Sequence, residues 1–245
     1  MNRVLIFNYW VDALTAKEIT KAAVNLISTG QRGWISNFNA NTLLQARTNP
    51  QLDAYIKSAA LVIADGQSII WCARLFGGRL PERVTGIDLI SHLCKAAQDQ
   101  GLGVYLLGGS NEAIVDAANR LSNEFPRLRL EFSDGYFLPE EVPDRVEAIK
   151  NSGCEILIVG MGIPLQERFI AENWNRLEAS IAIGVGGSFD VISGKINRAP
   201  KAIQNAGLEW LYRLIEEPRR LFVRTVSMNL YLIWLTIKFM IKRAQ

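Results

Sequence analysis

Histidine and cysteine are scarce in this chain: His92 stands alone, and Cys72, Cys94 and Cys154 are the only thiols in 245 residues. A single histidine excludes a metal cluster built on several histidines. Three scattered cysteines are too few for a disulfide framework and too dispersed for a zinc cluster, so they read as core thiols of a reducing compartment. The N-terminus, Met1 to Phe7, lacks the long apolar stretch and small-residue cleavage site of a signal peptide, so the bulk of the protein is expected to remain cytoplasmic. No G-x-G-x-x-G fingerprint and no G-x-x-x-x-G-K-[ST] phosphate loop occurs, which weighs against dehydrogenase and NTPase readings. Asp-x-Asp is absent too, so a nucleotide diphosphate would have to be held by arginines and helix N-termini rather than by a metal.

What the chain does have is apolar bulk and an uneven charge. With 49% hydrophobic and 21% charged residues, it fits one large or two small globular domains. Residues 1–194 hold 17 Lys/Arg against 21 Asp/Glu, whereas residues 195–245 hold 10 against 3. The basic tail is a separate electrostatic object.

Apolar runs at Val4 to Phe7, Gly33 to Ser36, Leu61 to Ala64, Val104 to Leu107, Leu128 to Phe132, Ile156 to Val159 and Ile181 to Val185 alternate with helical patterns. This predicts an α/β fold with a doubly wound, mostly parallel (Rossmann-like) sheet. Thr15-Ala16-Lys17-Glu18 is a capping box for a helix that Gly30 ends. Further helices are predicted near Thr85 to Gln100 and Ser110 to Phe125, with His92 beside the apolar stripe of the first as a structural or surface residue. From Pro200 the strand pattern stops, and a long apolar helix is predicted from Arg219 to Ile241 after Pro218. The domain reading is therefore a body, 1–195, and a helical, membrane-associating appendage, 196–245.

The apolar run into Ala64-Asp65-Gly66 delivers a carboxylate to the edge of a parallel sheet, where open α/β folds hold ligands. The bland alternative for Asp65 is a helix or turn cap. Three strand ends are glycine-rich, at Gly108-Gly109, Gly160-Met161-Gly162 and Gly184-Val185-Gly186-Gly187. Such ends admit a phosphate at a helix start, and tight turns need glycine equally. Arg83, just before a helix capped by Thr85, suits a forked phosphate contact or an ion pair with Glu82 or Asp88.

Taken together, Ala64-Asp65-Gly66 with Trp71 and Arg74, Pro81-Glu82-Arg83-Val84-Thr85-Gly86-Ile87-Asp88, Gly160-Met161-Gly162 with Pro164, Gln166 and Glu167, and Gly184 to Asp190 resemble the WecG/TagA/CpsF glycosyltransferases. So do Gly194-Lys195, Arg198-Ala199-Pro200, Gly207 to Leu214 and Glu217-Pro218-Arg219-Arg220, all in order. The resemblance implies an inverting, metal-independent enzyme with no bound cofactor. It would move an N-acetylmannosamine, uronic acid or hexose type sugar from a UDP-sugar to a polyprenyl-diphosphate-linked saccharide in cell-surface polysaccharide synthesis.

Inversion in one step needs a base, and Asp65 is the candidate. The resemblance puts Asn39 and Gln166 in the substrate pocket, while Asn37 stands where many relatives carry threonine. A plain helix-face role is the alternative for Gln166. Arg83 is assigned to phosphate, and Gly108, Gly109, Gly162, Gly186, Gly187 and Asp190 to the donor, Asp190 alternatively capping its turn. Arg213, Arg219, Arg220 and Arg224 are expected to clamp the lipid diphosphate.

Thirteen uncharged residues separate Arg224 from Lys238. As helix they reach roughly 20 Å, short of the ~30 Å core of a bilayer. With Arg220, Arg224, Lys238 and Lys242 at helical spacing, this predicts an interfacial helix attracted to anionic lipid, on the cytoplasmic face of the inner membrane. Burial against a partner subunit, as in a homo-oligomer, is the alternative. The slightly acidic body argues against nucleic acid. Two other functions stay open: a non-catalytic scaffold of a polysaccharide assembly complex, and a nicotinamide-dependent oxidoreductase.

Overall fold

The structure, a computed structural model, describes residues 2–216 and 218–244. It opens with an antiparallel hairpin of β1 (Arg3–Ile6) and β2 (Tyr9–Asp12). Next come α1 (Ala16–Ser28), β3 (Gly33–Phe38), α2 (Ala40–Ala46), α3 (Pro50–Lys57), β4 (Leu61–Ala64), α4 (Gln67–Leu75) and α5 (Gly86–Gln100). The alternation continues through β5 (Gly103–Gly108), α6 (Asn111–Glu124), β6 (Arg129–Ser133), α7 (Val142–Asn151), β7 (Ile156–Gly160), α8 (Leu165–Leu177) and β8 (Ile181–Gly184). Beyond β8 the described residues form only helices and loops: α9 (Ser188–Ile192), α10 (Lys201–Asn205), α11 (Glu209–Glu216) and α12 (Pro218–Ala244).

Six strands form one sheet in the order β4-β3-β8-β7-β5-β6, every neighbouring pair parallel. Parallel strands need crossovers, and the helices supply them on both faces. Ile156 and Ile158 of β7 join Ile183, Ile19, Leu93 and Ile114 in one core, while Leu157 and Val159 join Val146, Ile149 and Phe169 in the opposite one. Period-two side chains from a single strand thus fill two layers.

Local chemistry sets the helix ends. Thr15 and Glu18 form the predicted reciprocal box at α1, and Gly30 follows its end at φ +68°. The Thr85 and Ser110 side chains accept from the backbone N–H of Asp88 and Ala113, starting α5 and α6. His92 is exposed, its Nδ1 2.8 Å from the Asp88 carbonyl. All three cysteines are buried and unpaired, and burial pushes the thiols of Cys94 and Cys154 up to about 12 and about 11.

The run Val4 to Phe7 is not a strand of the main sheet. It pairs with Tyr9–Asp12 through the two-residue turn Phe7-Asn8, and the hairpin covers the β4 edge. Phe7 takes φ +55° without a glycine because its ring is buried against those of Phe76 and Phe239, at 5.2 and 5.7 Å between centroids. Asp12, 1% exposed, is the pin: it accepts from the Val62 N–H at 2.8 Å and pairs with Arg3 at 2.8 Å. Asp12→Ala strands that edge N–H and is expected to cost about 1–3 kcal/mol. Thermal unfolding checks this; an unchanged melting temperature would refute the pin.

One face of α12 closes over the hairpin, α2 and α4 through Met228, Tyr231, Leu232, Leu235 and Phe239. The Phe239 and Phe76 rings are 4.7 Å apart, Arg47 lies over the Tyr231 ring, and Cys72 Sγ is 3.6 Å from Thr236 Oγ1. The other face leaves Val223, Leu230, Ile233, Trp234, Ile237 and Ile241 exposed. Among the described residues no helix is long and apolar enough to cross a membrane.

Candidate functional site

Strand register assembles the site. Phe38 pairs with Ala64, so Asn39 and Asp65 leave adjacent strands side by side. Gly108 pairs with Gly160, and Val159 with Gly184, so the three glycine-rich exits lie along the same carboxyl edge. This edge is where parallel sheets present their ligand sites.

Asp65 does not cap α4: the N-cap is Gly66, at φ +119° with no side-chain bond. Its carboxylate instead faces Asn39, whose Nδ2 lies 3.5 Å from Oδ2. The Asn39 Oδ1 accepts from the Thr42 N–H at 2.9 Å, so capping α2 fixes the amide with its nitrogen toward Asp65. Burial raises the Asp65 carboxyl to about 6; Arg83 opposes this, the Asn39 bond also lowers it, Glu209 adds to the rise, and Arg213 lowers it.

The Val84 N–H donates to the Ala64 carbonyl at 3.0 Å, which lays the loop bearing Arg83 beside the end of β4. Glu82 is occupied elsewhere, accepting from the Ala16 N–H at 2.6 Å. Arg83 pairs with neither Glu82 nor Asp88 but with Glu209 of α11 at 2.9 Å, side chains 17% and 11% exposed. Asp88 takes Arg198 at 2.8 Å, and Arg198 Nε lies 3.9 Å from the Glu209 carboxylate without a hydrogen bond. Glu209 is thus held between two arginines beside the candidate base. Sequence reasoning did not single out Glu209 or Arg198 as site residues; the available signal was that Glu209 is one of only three acids in a basic tail.

The glycine exits differ: Gly108 and Gly160 are close-packed, whereas Gly162 and Gly186 face open space. A Cβ on Gly108 would stand 2.3 Å from the Gly160 carbonyl oxygen, and one on Gly160 would stand 2.5 Å from the Phe189 ring. Gly109, Gly162 and Gly186 have positive φ. Gln166 is 2% exposed, with its carbonyl taking the N–H of Gly162 and of Gly186 at 3.2 and 2.8 Å. Asp190 is half-buried, its backbone carbonyl accepting from Ser193 Oγ and from the Ile196 N–H. The Asn37 Nδ2 donates to the Gly184 carbonyl at 2.9 Å, tying β3 to β8 beneath the site.

Of the tail arginines, Arg213 acts electrostatically on Asp65 and Arg219 is exposed. The side chains of Arg220 and Arg224 lie outside the described residues. A cavity of about 640 Å³, lined by Arg74, Gly77, Gly78, Arg79, Leu80 and Pro81, adjoins the Arg83 loop but not Asp65. Among the described residues no three His, Cys, Asp or Glu side chains are gathered as metal ligands would be. Residues 4–245 match the model of the Glycosyl transferase WecG/TagA/CpsF family.

Proposed function

This chain belongs to the WecG/TagA/CpsF family of glycosyl transferases, and from that premise we propose an inverting transferase. It moves a sugar from a UDP-sugar to a saccharide on a polyprenyl diphosphate. The observation that carries the reading is Asp65: a carboxylate at the carboxyl edge of the sheet, spared from helix capping, flanked by an arginine. The acceptor hydroxyl loses its proton to Asp65 as its oxygen attacks the anomeric carbon. The bond from that carbon to the UDP oxygen breaks on the opposite face, and the electron pair leaves with UDP. Asn39 orients the carboxylate, and the backbone of the Gly108-Gly109, Gly162 and Gly186-Gly187 exits lines the donor side, with Asp190 nearby.

The diphosphate charge falls to Arg83, a forked donor on a fixed loop. Arg213, Arg219, Arg220 and Arg224 serve the lipid diphosphate of the acceptor. The outer stripe of α12 lies on the membrane surface, with Trp234 and the basic residues in the headgroup zone. Trp71 and Leu75, exposed on α4, extend the same apolar character next to α12, which touches α4 where Thr236 meets Cys72. The division at residue 195 then separates a donor-binding body from an acceptor-gathering appendage.

The test is UDP release from a panel of UDP-sugars, with vesicles of anionic lipid carrying polyprenyl-diphosphate saccharides. Acceptor-dependent release with one donor is expected. Silence across the panel, alongside capture of other polysaccharide enzymes, would favour a scaffold instead.

A further inference from the structure

Gln166 and Glu167 open α8 side by side, yet they do different things. Two backbone donors, the N–H groups of Gly162 and Gly186, converge on one atom of the Gln166 amide, so that atom must be the oxygen. The amide nitrogen therefore points the other way, where Glu167 Oε1 accepts from it at 2.7 Å. Nothing else would hold this orientation as firmly: flipping the amide would set NH₂ against two N–H groups. The fit is close, since a Cβ on Gly184 would lie 2.4 Å from the Gln166 nitrogen. Glu167 is only 6% exposed and takes no part in the chemistry proposed above.

We propose that Glu167 is a positioning residue: by accepting from the Gln166 amide, it locks the loops after β7 and β8 in the form that receives the donor. The last clause rests on the reading that these loops hold the UDP-sugar; the lock itself does not. Burial places the Glu167 carboxyl at about 7, against the pull of the Gln166 bond, and Tyr55 is the other titratable group facing it. A carboxylate and the carbonyl oxygen of a carboxylic acid both accept from an amide, so the lock holds across that titration. The second oxygen of Glu167 and the Tyr55 hydroxyl are buried without hydrogen-bond partners.

Amide hydrogen exchange of Gly162 and Gly186 in the full chain tests the lock directly. Glu167→Leu is expected to speed exchange at those two amides at least tenfold, with the β5 and β7 core amides unchanged. Glu167→Gln keeps a carbonyl acceptor and should stay within about threefold of the parent. Gln166→Glu sets two carboxyl groups face to face and, at a pH high enough to ionise both, loses protection. The exchanged pair Q166E/E167Q restores it, because the carboxylate at 166 now takes both loop N–H groups and the amide at 167 donates to it. Parent-like protection in Glu167→Leu, or a double variant no better than Gln166→Glu, would overturn the lock; if Glu167→Leu fails to fold, the exchanged pair decides. UDP titration of the same proteins separates the two readings. At least tenfold weaker binding by Glu167→Leu is expected. Equal tight binding would remove the link from lock to donor, and no binding even by the parent would refute the donor reading while the exchange result still judges the lock.

Discussion

Asp65→Asn is expected to lower turnover by about 10²- to 10⁴-fold while making the protein more stable at neutral pH. The first effect follows from removing the base. The second follows from the burial that tunes it: the folded-state carboxyl lies at about 6, above the ~3.9 of an unfolded aspartate. Ionised Asp65 therefore weakens the fold. That penalty is absent below about pH 4, grows as pH rises, and is fully present above about 6. Its size is on the order of 2–3 kcal/mol, by the conversion of about 1.4 kcal/mol per unit. Because catalysis needs the ionised form, kcat/KM of the parent should fall tenfold per pH unit below about 6. Melting temperatures from pH 4 to 8 would show the variant's advantage opening as pH rises. A variant that is active, or no more stable at pH 7.5 than at pH 4 relative to the parent, would refute the assignment.

Arg83 and Glu209 should move that acid limb in opposite directions. Arg83 lowers the Asp65 carboxyl and Glu209 raises it. Glu209→Gln is thus expected to shift the limb to lower pH, and Arg83→Gln to shift it upward. Arg83→Gln also removes the positive charge proposed to face the departing diphosphate, an expected loss of roughly 10²- to 10³-fold in kcat by analogy with other preorganised donors. It further leaves Glu209, 11% exposed at its side chain, with Arg198 at 3.9 Å as its remaining cation among the described residues. Breaking a buried pair from one side costs about 3–5 kcal/mol, borne here by the contact of α11 with the body. The double variant relieves the orphaned carboxylate, so stability should return while turnover does not. Recovery of turnover in the double variant would show that Arg83 is structural and touches no phosphate.

Strands such as β4, β5, β7 and β8 were legible because the buried run is short and apolar and ends in glycine or runs straight into aspartate, as Ile156–Gly160 and Leu61–Ala64 with Asp65 do. Register then did what no motif states, setting Asn39 beside Asp65 through the pairing of Phe38 with Ala64. Val4 to Phe7 misled because it is as apolar as a core strand, while its turn, Phe7-Asn8, carries no glycine; packing by Phe76 and Phe239 compels that turn, and both lie far along the chain. The same distance hid Glu209. Nothing local at position 209 reveals that its partner is Arg83, and the two obvious candidates nearer to Arg83 are spoken for by Ala16 and Arg198. Gln166 was legible as a site residue by family likeness, but the turning of its amide into the loops is visible only in three dimensions.

The packing of α12 also fixes an order of events. Cys72 and Thr236 touch across 164 residues of chain. Closing so long a loop costs only about 0.6 kcal/mol more per doubling of its length, yet the contact gains nothing until the intervening sheet exists to hold its ends together. The tail is therefore expected to dock after the sheet has formed and to open at a lower free energy than β5 or β7. In such an excursion the body would keep its formed sheet, with Asp65 and Arg83 in place, while Glu209 and Arg213 leave with α11. Because Glu209 raises the Asp65 carboxyl more than Arg213 lowers it, the docked tail is expected to make Asp65 the stronger base, and a surface that holds α12 down is expected to favour that state.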